Sequence, residues 1–420
     1  MQTPSSRPLF HRHRSRRTGS LALAGLLALA LAPLLAACGG ATSTSGSITP
    51  PATHPTPTAA APTSTPNPTA GALTWVQIGT QGAIELHAAV NGAAAHTYAT
   101  IPQLTNACGY VDTGPAIFAP DLAHIAFALG FGCTDGQFSG PLLVVDAATG
   151  ATVTVPLPQN TTVISEERAY AWIDSAHLVV LGYTGAYVYQ LGGGGVSQLP
   201  GIANAVEGVV RGSTLFYLTN TGFGAGLDSK LHRYDLSAKQ PLPSTIDLGS
   251  FGSCQCSPGN FSFQGWDASP DGAHVVYQVT TAKNGQGVGS IASSRVMYAN
   301  ADGSGATQIA QYMITSSLVR MRLSPDGSQV AITNALPSPS VISACVNSPG
   351  GKTDPCFHAY TPDAVDLPAW SADGHSFFAA SNVISDNGGA GIHPTLYRFT
   401  IGASPASVFA SGGFQPWSGA

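Results

Sequence analysis

Residues 269–277 read SPDGAHVVY, and residues 324–332 read SPDGSQVAI. Related stretches recur along the chain as APDLAHIAF (119–127), WIDSAHLVV (172–180), VVRGSTLFY (209–217) and SADGHSFFA (371–379). Their third residues are Asp121, Asp174, Arg211, Asp271, Asp326 and Asp373, at spacings of 53, 37, 60, 55 and 47. A self-similar unit of this size is one supersecondary element. It cannot bury its apolar side alone, so it must stack against its own copies.

Each copy has a polar turn followed by a short run rich in Val, Ile, Phe and Tyr, the pattern of a turn and the second strand of a hairpin. Pro suits the second position of a type I turn, and Gly272 and Gly327 can take positive φ without a Cβ clash. Leu122 and Ser175 occupy the corresponding place in their copies, so those turns are expected to differ. A second strand–turn–strand pattern follows most copies: LLVVDAATGATVTVP (142–156), AYVYQLGGGGVSQLP (186–200), KLHRYDLSAKQPLP (230–243), RVMYANADGSGATQIA (295–310) and TLYRFTIGASPASVFA (395–410). Two hairpins per repeat make a four-stranded sheet, and a row of such sheets is an all-β propeller.

SPDGAHVVY with VMYANADGSGATQIA resembles the TolB-like, WD-repeat-related propeller repeat, whose blades open with Ser-Pro-Asp-Gly and end in a strand, Asp-Gly turn, strand hairpin. No Gly-His and terminal Trp-Asp pair recurs, and Trp266-Asp267 falls outside the position that a true WD repeat requires. The last residues, GFQPWSGA, repeat LPAWSADG (367–374) and stop one strand into a further unit. Residues 73–101 supply three strand-like stretches without a first strand. Together the two ends predict a composite closing blade, giving a seven-bladed propeller, or six-bladed if one degenerate copy is miscounted.

The N-terminal residues set the expected compartment. Five arginines (Arg7, Arg12, Arg14, Arg16, Arg17) precede an apolar run over 21–35, the form of a secretory signal and short for a membrane span. Leu35-Ala36-Ala37-Cys38 resembles the bacterial lipobox, which implies lipidation of Cys38 after removal of residues 1–37. Residues 38–72 then form a Thr/Ser/Pro-rich tether with too little apolar surface to offset its ordering entropy, and 73–420 form the propeller. Without the signal, eleven basic residues face 21 acidic ones, a formal net charge of −10. That balance excludes nucleic acid and a basic grip on anionic lipid, leaving the lipid anchor as the membrane attachment. The chain is read as a monomer with no cofactor, on the outer face of the cytoplasmic membrane or in the cell envelope of a bacterium.

In such blades the turns joining strands one to two and three to four share one face of the ring, and the remaining connections share the other. The first class is short here (SPDG, NG, ATG, ADGSG), whereas the second holds 102–114, 131–140, 220–229, 247–260, 281–294, 336–355 and 383–394. Of the six cysteines beyond Cys38, Cys108, Cys133, Cys254, Cys256 and Cys345 fall in this second class, and Cys356 closes the 336–355 connection that it brackets with Cys345. An even number in an exported chain reads as disulfides, with connectivity open. Phe131, Asp135, Phe138, Phe223, Asp228, Asp386 and His393 lie in these connections and are the ligand-binding candidates.

No GxSxG, Walker or HExxH motif occurs, so no catalytic or metal residue is assigned. Glu166-Glu167-Arg168 reads as a solvated charge cluster, and His124, His177 and His274 as partners of the Asp three residues before each. The predicted function is a lipoprotein whose propeller binds or scaffolds a protein, glycan or small ligand through its long-connection face. The alternative is an enzyme of lyase, lactonase or glycosidase type with a site at the funnel mouth.

Overall fold

The apolar runs after the polar turns become short strands in the computed structural model, which describes residues 72–78, 84–90, 96–101, 110–113, 116–132, 141–158, 168–182, 184–193, 195–220, 227–251, 265–282, 291–312, 319–335, 341–347, 357–360, 368–381, 395–403, 407–411 and 417–418. All thirty regular elements among the described residues are β-strands. The first sheet holds β1 (Ala72–Ile78), β2 (Ile84–Val90) and β3 (His96–Ile101). The second sets β4 (Tyr110–Thr113) and β5 (Ile117–Phe118) against β6 (His124–Gly132), followed by β7 (Leu142–Asp146) and β8 (Thr152–Thr154). The third is β9 (Tyr170–Trp172), β10 (His177–Gly182), β11 (Gly185–Gln190) and β12 (Val196–Leu199).

A nine-stranded sheet follows. Its first run is β13 (Ala205–Arg211), β14 (Thr214–Asn220), β15 (Leu227–Asp235), β16 (Gln240–Pro241) and β17 (Ile246–Phe251). Its second is β18 (Trp266–Ala268), β19 (His274–Ala282), β20 (Ile291–Asn300) and β21 (Thr307–Tyr312). Two four-stranded sheets complete the chain: β22 (Val319–Leu323), β23 (Val330–Ala335), β24 (Val341–Asn347) and β25 (Phe357–Tyr360), then β26 (Ala369–Trp370), β27 (Ser376–Ser381), β28 (Thr395–Thr400) and β29 (Ser407–Ser411). Finally β30 (Trp417–Ser418) pairs with β1, Leu73 opposite Ser418 and Thr74 opposite Trp417, so strands from the two ends of the propeller region share one sheet.

The second strand of each repeat shows why a propeller forms. In β10 the run Leu178, Val179, Val180, Leu181 is buried throughout. Side chains alternate across a strand, so Leu178 and Val180 enter a cluster with Ala126 and Val144 of the preceding sheet, while Val179 and Leu181 enter another with Leu215 and Tyr217 of the following one. In β6, Ile125 and Phe127 meet Leu86 and Ala88 of the first sheet, whereas Ala126 and Ala128 face the third. In β27, Phe377 and Ala379 meet Ala331, and Phe378 meets Leu73 and Trp75 of β1. Both faces of these strands are covered by neighbouring sheets. A continuous apolar run, instead of strict polar–apolar alternation, is the result.

The blade count differs from the seven, or six, that the repeats predict. Five sheets of four or five strands stand as separate blades, and the copies around Arg211 and Asp271 share the nine-stranded sheet. The reason is β17 (Ile246–Phe251), which runs into the first part of the connection expected over 247–260. It pairs antiparallel with β15 and parallel with β19, Gly249 opposite Thr280 and Ser250 opposite Thr281. The connection expected over 336–355 is also part strand: β24 occupies its centre, with Cys345 opposite Ile332.

The SPDG turns are scaffolding in atomic detail. Gly272 N donates to Ser269 O at 2.8 Å, and Gly272 and Gly327 have φ of 68° and 71°. Leu122 departs from the sequence expectation. It adopts φ 60° and donates to Ala119 O at 2.8 Å, the same turn built at the expense of left-handed strain, while its side chain packs on the cluster between the first two sheets. At Ser175 the turn does differ, with Ile173 N and Asp174 N both directed at His177 O.

Candidate functional site

The repeat aspartates are already occupied. Asp121 Oδ1 accepts from Ala123 N at 2.9 Å, and Asp271 Oδ1 from Ser269 Oγ at 2.5 Å and Ala273 N at 3.0 Å. Asp326 is bonded by Ser324 Oγ, Ser328 N and Ser328 Oγ, and Asp373 by Ser371 Oγ and His375 N. The Ser371 bond holds the Asp373 carboxyl below the usual carboxylate range. Of the three histidines, only His177 bonds its aspartate, Nδ1 lying 2.9 Å from Asp174. His274 stacks on Tyr298 at 5.2 Å, and His124 Nδ1 is buried without a hydrogen-bond partner. Those two have no Asp partner because their rings turn towards aromatic neighbours. On this turn side a cavity of about 480 Å³ opens beside Asp174, His177, Gln190, Gln198 and Lys239.

A second constellation lies on the first strands of successive repeats, which are the innermost strands of propeller blades. Arg168 directly precedes β9, Glu207 and Arg211 lie on β13, Trp266 and Asp267 on β18, and Arg322 on β22. All six are less than a tenth exposed. Asp267 Oδ1 is 3.5 Å from Arg168 Nη1, 3.4 Å from Arg211 Nη2 and 3.6 Å from Arg322 Nη1, while Oδ2 accepts from Leu323 N at 2.8 Å. Glu207 Oε2 accepts from Trp266 Nε1 at 2.8 Å, and the Arg168 guanidinium sits 5.1 Å from the Trp266 ring centre. A register shift between Ala205 and Glu207 re-aims this part of β13, and Arg168 itself has φ 64°.

Electrostatics make this hub costly. Three guanidiniums face two carboxylates, and each buried ion loses several kcal/mol of hydration. Burial pushes the Glu207 carboxyl up to about 7, with Arg168, Trp266 and Arg322 pulling the other way. Burial and then Arg168 hold Arg322 well below its ordinary range, against the pull of Asp267. Burial lowers Arg211 as well, opposed by Asp267.

Sequence reasoning missed this hub, and Arg168 is buried where a solvated cluster was expected. Two signals were present: Arg211 stands where the other copies have Asp, and Trp266-Asp267 is an isolated pair.

Of the sequence-predicted site residues, Phe131, Asp228 and Cys345 fall within the described residues. Phe131 lies on β6 opposite Val111, and Asp228 on β15 opposite Ser250. Cys345 lies on β24 opposite Ile332. Cys38, Cys108, Cys133, Asp135, Phe138, Phe223, Cys254, Cys256, Cys356, Asp386 and His393 lie outside the described residues.

Fold and packing define the class as a β-propeller. No protein-family model and no curated protein matches the chain. Among solved structures, one from a study of two prolyl endopeptidases is similar over 85% of this chain and 50% of its own, with 13% identity and a TM-score of 0.51. The chain thus spans about half of that protein. An oligogalacturonate lyase in complex with manganese is similar at 13% identity over 80% of this chain and 83% of its own, with a TM-score of 0.48. TolB from Acinetobacter baumannii is similar at 14% identity over 79% of this chain and 61% of its own, with a TM-score of 0.41.

Proposed function

We propose that this chain is an exported lipoprotein of TolB-like type, anchored through Cys38, whose propeller binds a protein, glycan or small ligand on its long-connection side. The observation that carries the reading is the occupancy of the repeat aspartates: Asp121, Asp174, Asp271, Asp326 and Asp373 all serve their own turns. In this reading the longer connections lie on the opposite side, and loops on a rigid scaffold are where binding groups concentrate. Dividing the nine-stranded sheet between β17 and β19 yields seven blades. Each neighbouring pair then shares an apolar cluster, ending with Leu73 and Trp75 against Ala369 and Phe378. The six cysteines beyond Cys38 are proposed as disulfide partners in the oxidising compartment.

In this reading the lipid on Cys38 supplies the membrane attachment after signal removal. Cys38→Ala should therefore shift the protein from the membrane fraction to the soluble one and abolish incorporation of labelled fatty acid. A Cys38→Ala chain that takes up the label and stays with membranes after a salt wash would overturn the anchor.

A further inference from the structure

The inner-strand hub has more donors than acceptors. Arg211 is well served: Nε donates to Ala268 O at 3.0 Å and Nη1 to Val210 O at 3.2 Å. Arg168 has one long bond to Met321 O at 3.5 Å beside its long bond to Asp267. Arg322 Nε and Nη1 are buried with no hydrogen-bond partner, although the residue is only 5% exposed. One carboxylate oxygen, Asp267 Oδ1, is divided among three guanidiniums, and none approaches closer than 3.4 Å. Glu207 gives one oxygen to Trp266. Unserved buried N–H groups on a cation cost more than neutral ones, and the cluster keeps a formal surplus of one positive charge even with both carboxylates ionised. An additional anionic acceptor at Arg322 would satisfy both deficits.

We propose that this hub binds a small carboxylate anion, held by Arg322 where β13, β18 and β22 meet. A carboxylate suits it because a guanidinium recognises planar oxygen pairs with charge-assisted bonds. This site is distinct from the long-connection side and does not depend on the reading given above.

The test is titration of the purified full chain with sodium formate, after unfolding in urea, dialysis into anion-poor buffer and refolding to strip any carried ion. The wild type should show a saturable rise in melting temperature of about 2 °C or more and a matching binding isotherm by calorimetry. Arg322→Met keeps the volume and removes the donors, so it should fold and show neither. Arg322→Lys keeps the charge with fewer donors, and should bind at least tenfold more weakly. A wild type without a saturable response, or an Arg322→Met chain that responds equally, would overturn the site. Failure here leaves partner binding by the long connections unaffected, so the two readings fail separately.

Discussion

Glu207 and Asp267 divide the work of the hub unequally. Asp267 holds three guanidiniums and the Leu323 amide, whereas Glu207 has one strong bond, from Trp266. Burial raises the Glu207 carboxyl from an ordinary 4.5 to about 7, so the folded chain holds its proton more tightly than the unfolded chain does. The stability from that proton is fully present below about pH 4.5 and is lost as pH rises through about 7. Glu207→Gln keeps an acceptor for Trp266 and stays neutral. Its stability relative to the wild type should therefore rise between about pH 4.5 and 7 and level off above, read as urea midpoints across a pH series. A difference that is constant over that range would contradict the assignment. At this scale the turn residues were legible, because Ser, Asp and Gly bond within a few positions of themselves. The hub was not, because its partners stand 56 and 99 residues apart in sequence and meet only once the strands pack.

At the scale of elements, short apolar runs flanked by polar turns were enough to place most strands, since both faces of the central strands are buried and the apolar run is uninterrupted. Strand ends rich in polar residues were not legible. Thr280 and Thr281 of β19 pair with Ser294 and Ser293 of β20, a stretch that reads as loop. In β17, Gly249 and Ser250 carry no apolar signal, yet their backbones supply the parallel bridge to β19. The C-terminal strand was legible through its repeat of LPAWSADG. Deleting 414–420 removes the partner of Leu73 and Thr74 and bares the edge of β1. Two lost residue pairs with net backbone bonds near 1 kcal/mol each predict about 2 kcal/mol of destabilisation, a fall of several degrees in melting temperature. An unchanged melting temperature would mean that β30 does not close the sheet.

Over the whole molecule, the clusters run from sheet to sheet: the first meets the second through Leu86 and Phe127, and the last returns to the first through Phe378 and Trp75. The turns capped by the repeat aspartates lie on one side of such a ring, and the proposed reading assigns the longer connections to the other. The turn side is not featureless, since the cavity beside Asp174 and Lys239 opens there. The proposed binding function requires that a partner meet the long-connection side and not this one. The direct measurement is photo-crosslinking in intact cells, with the reactive side chain placed at Gln286, in the connection between β19 and β20, or at Lys239, on the rim of the turn-side cavity. Crosslinked product from Gln286 and none from Lys239 is the predicted result; product from Lys239 alone would put the working surface on the turn side and contradict the account.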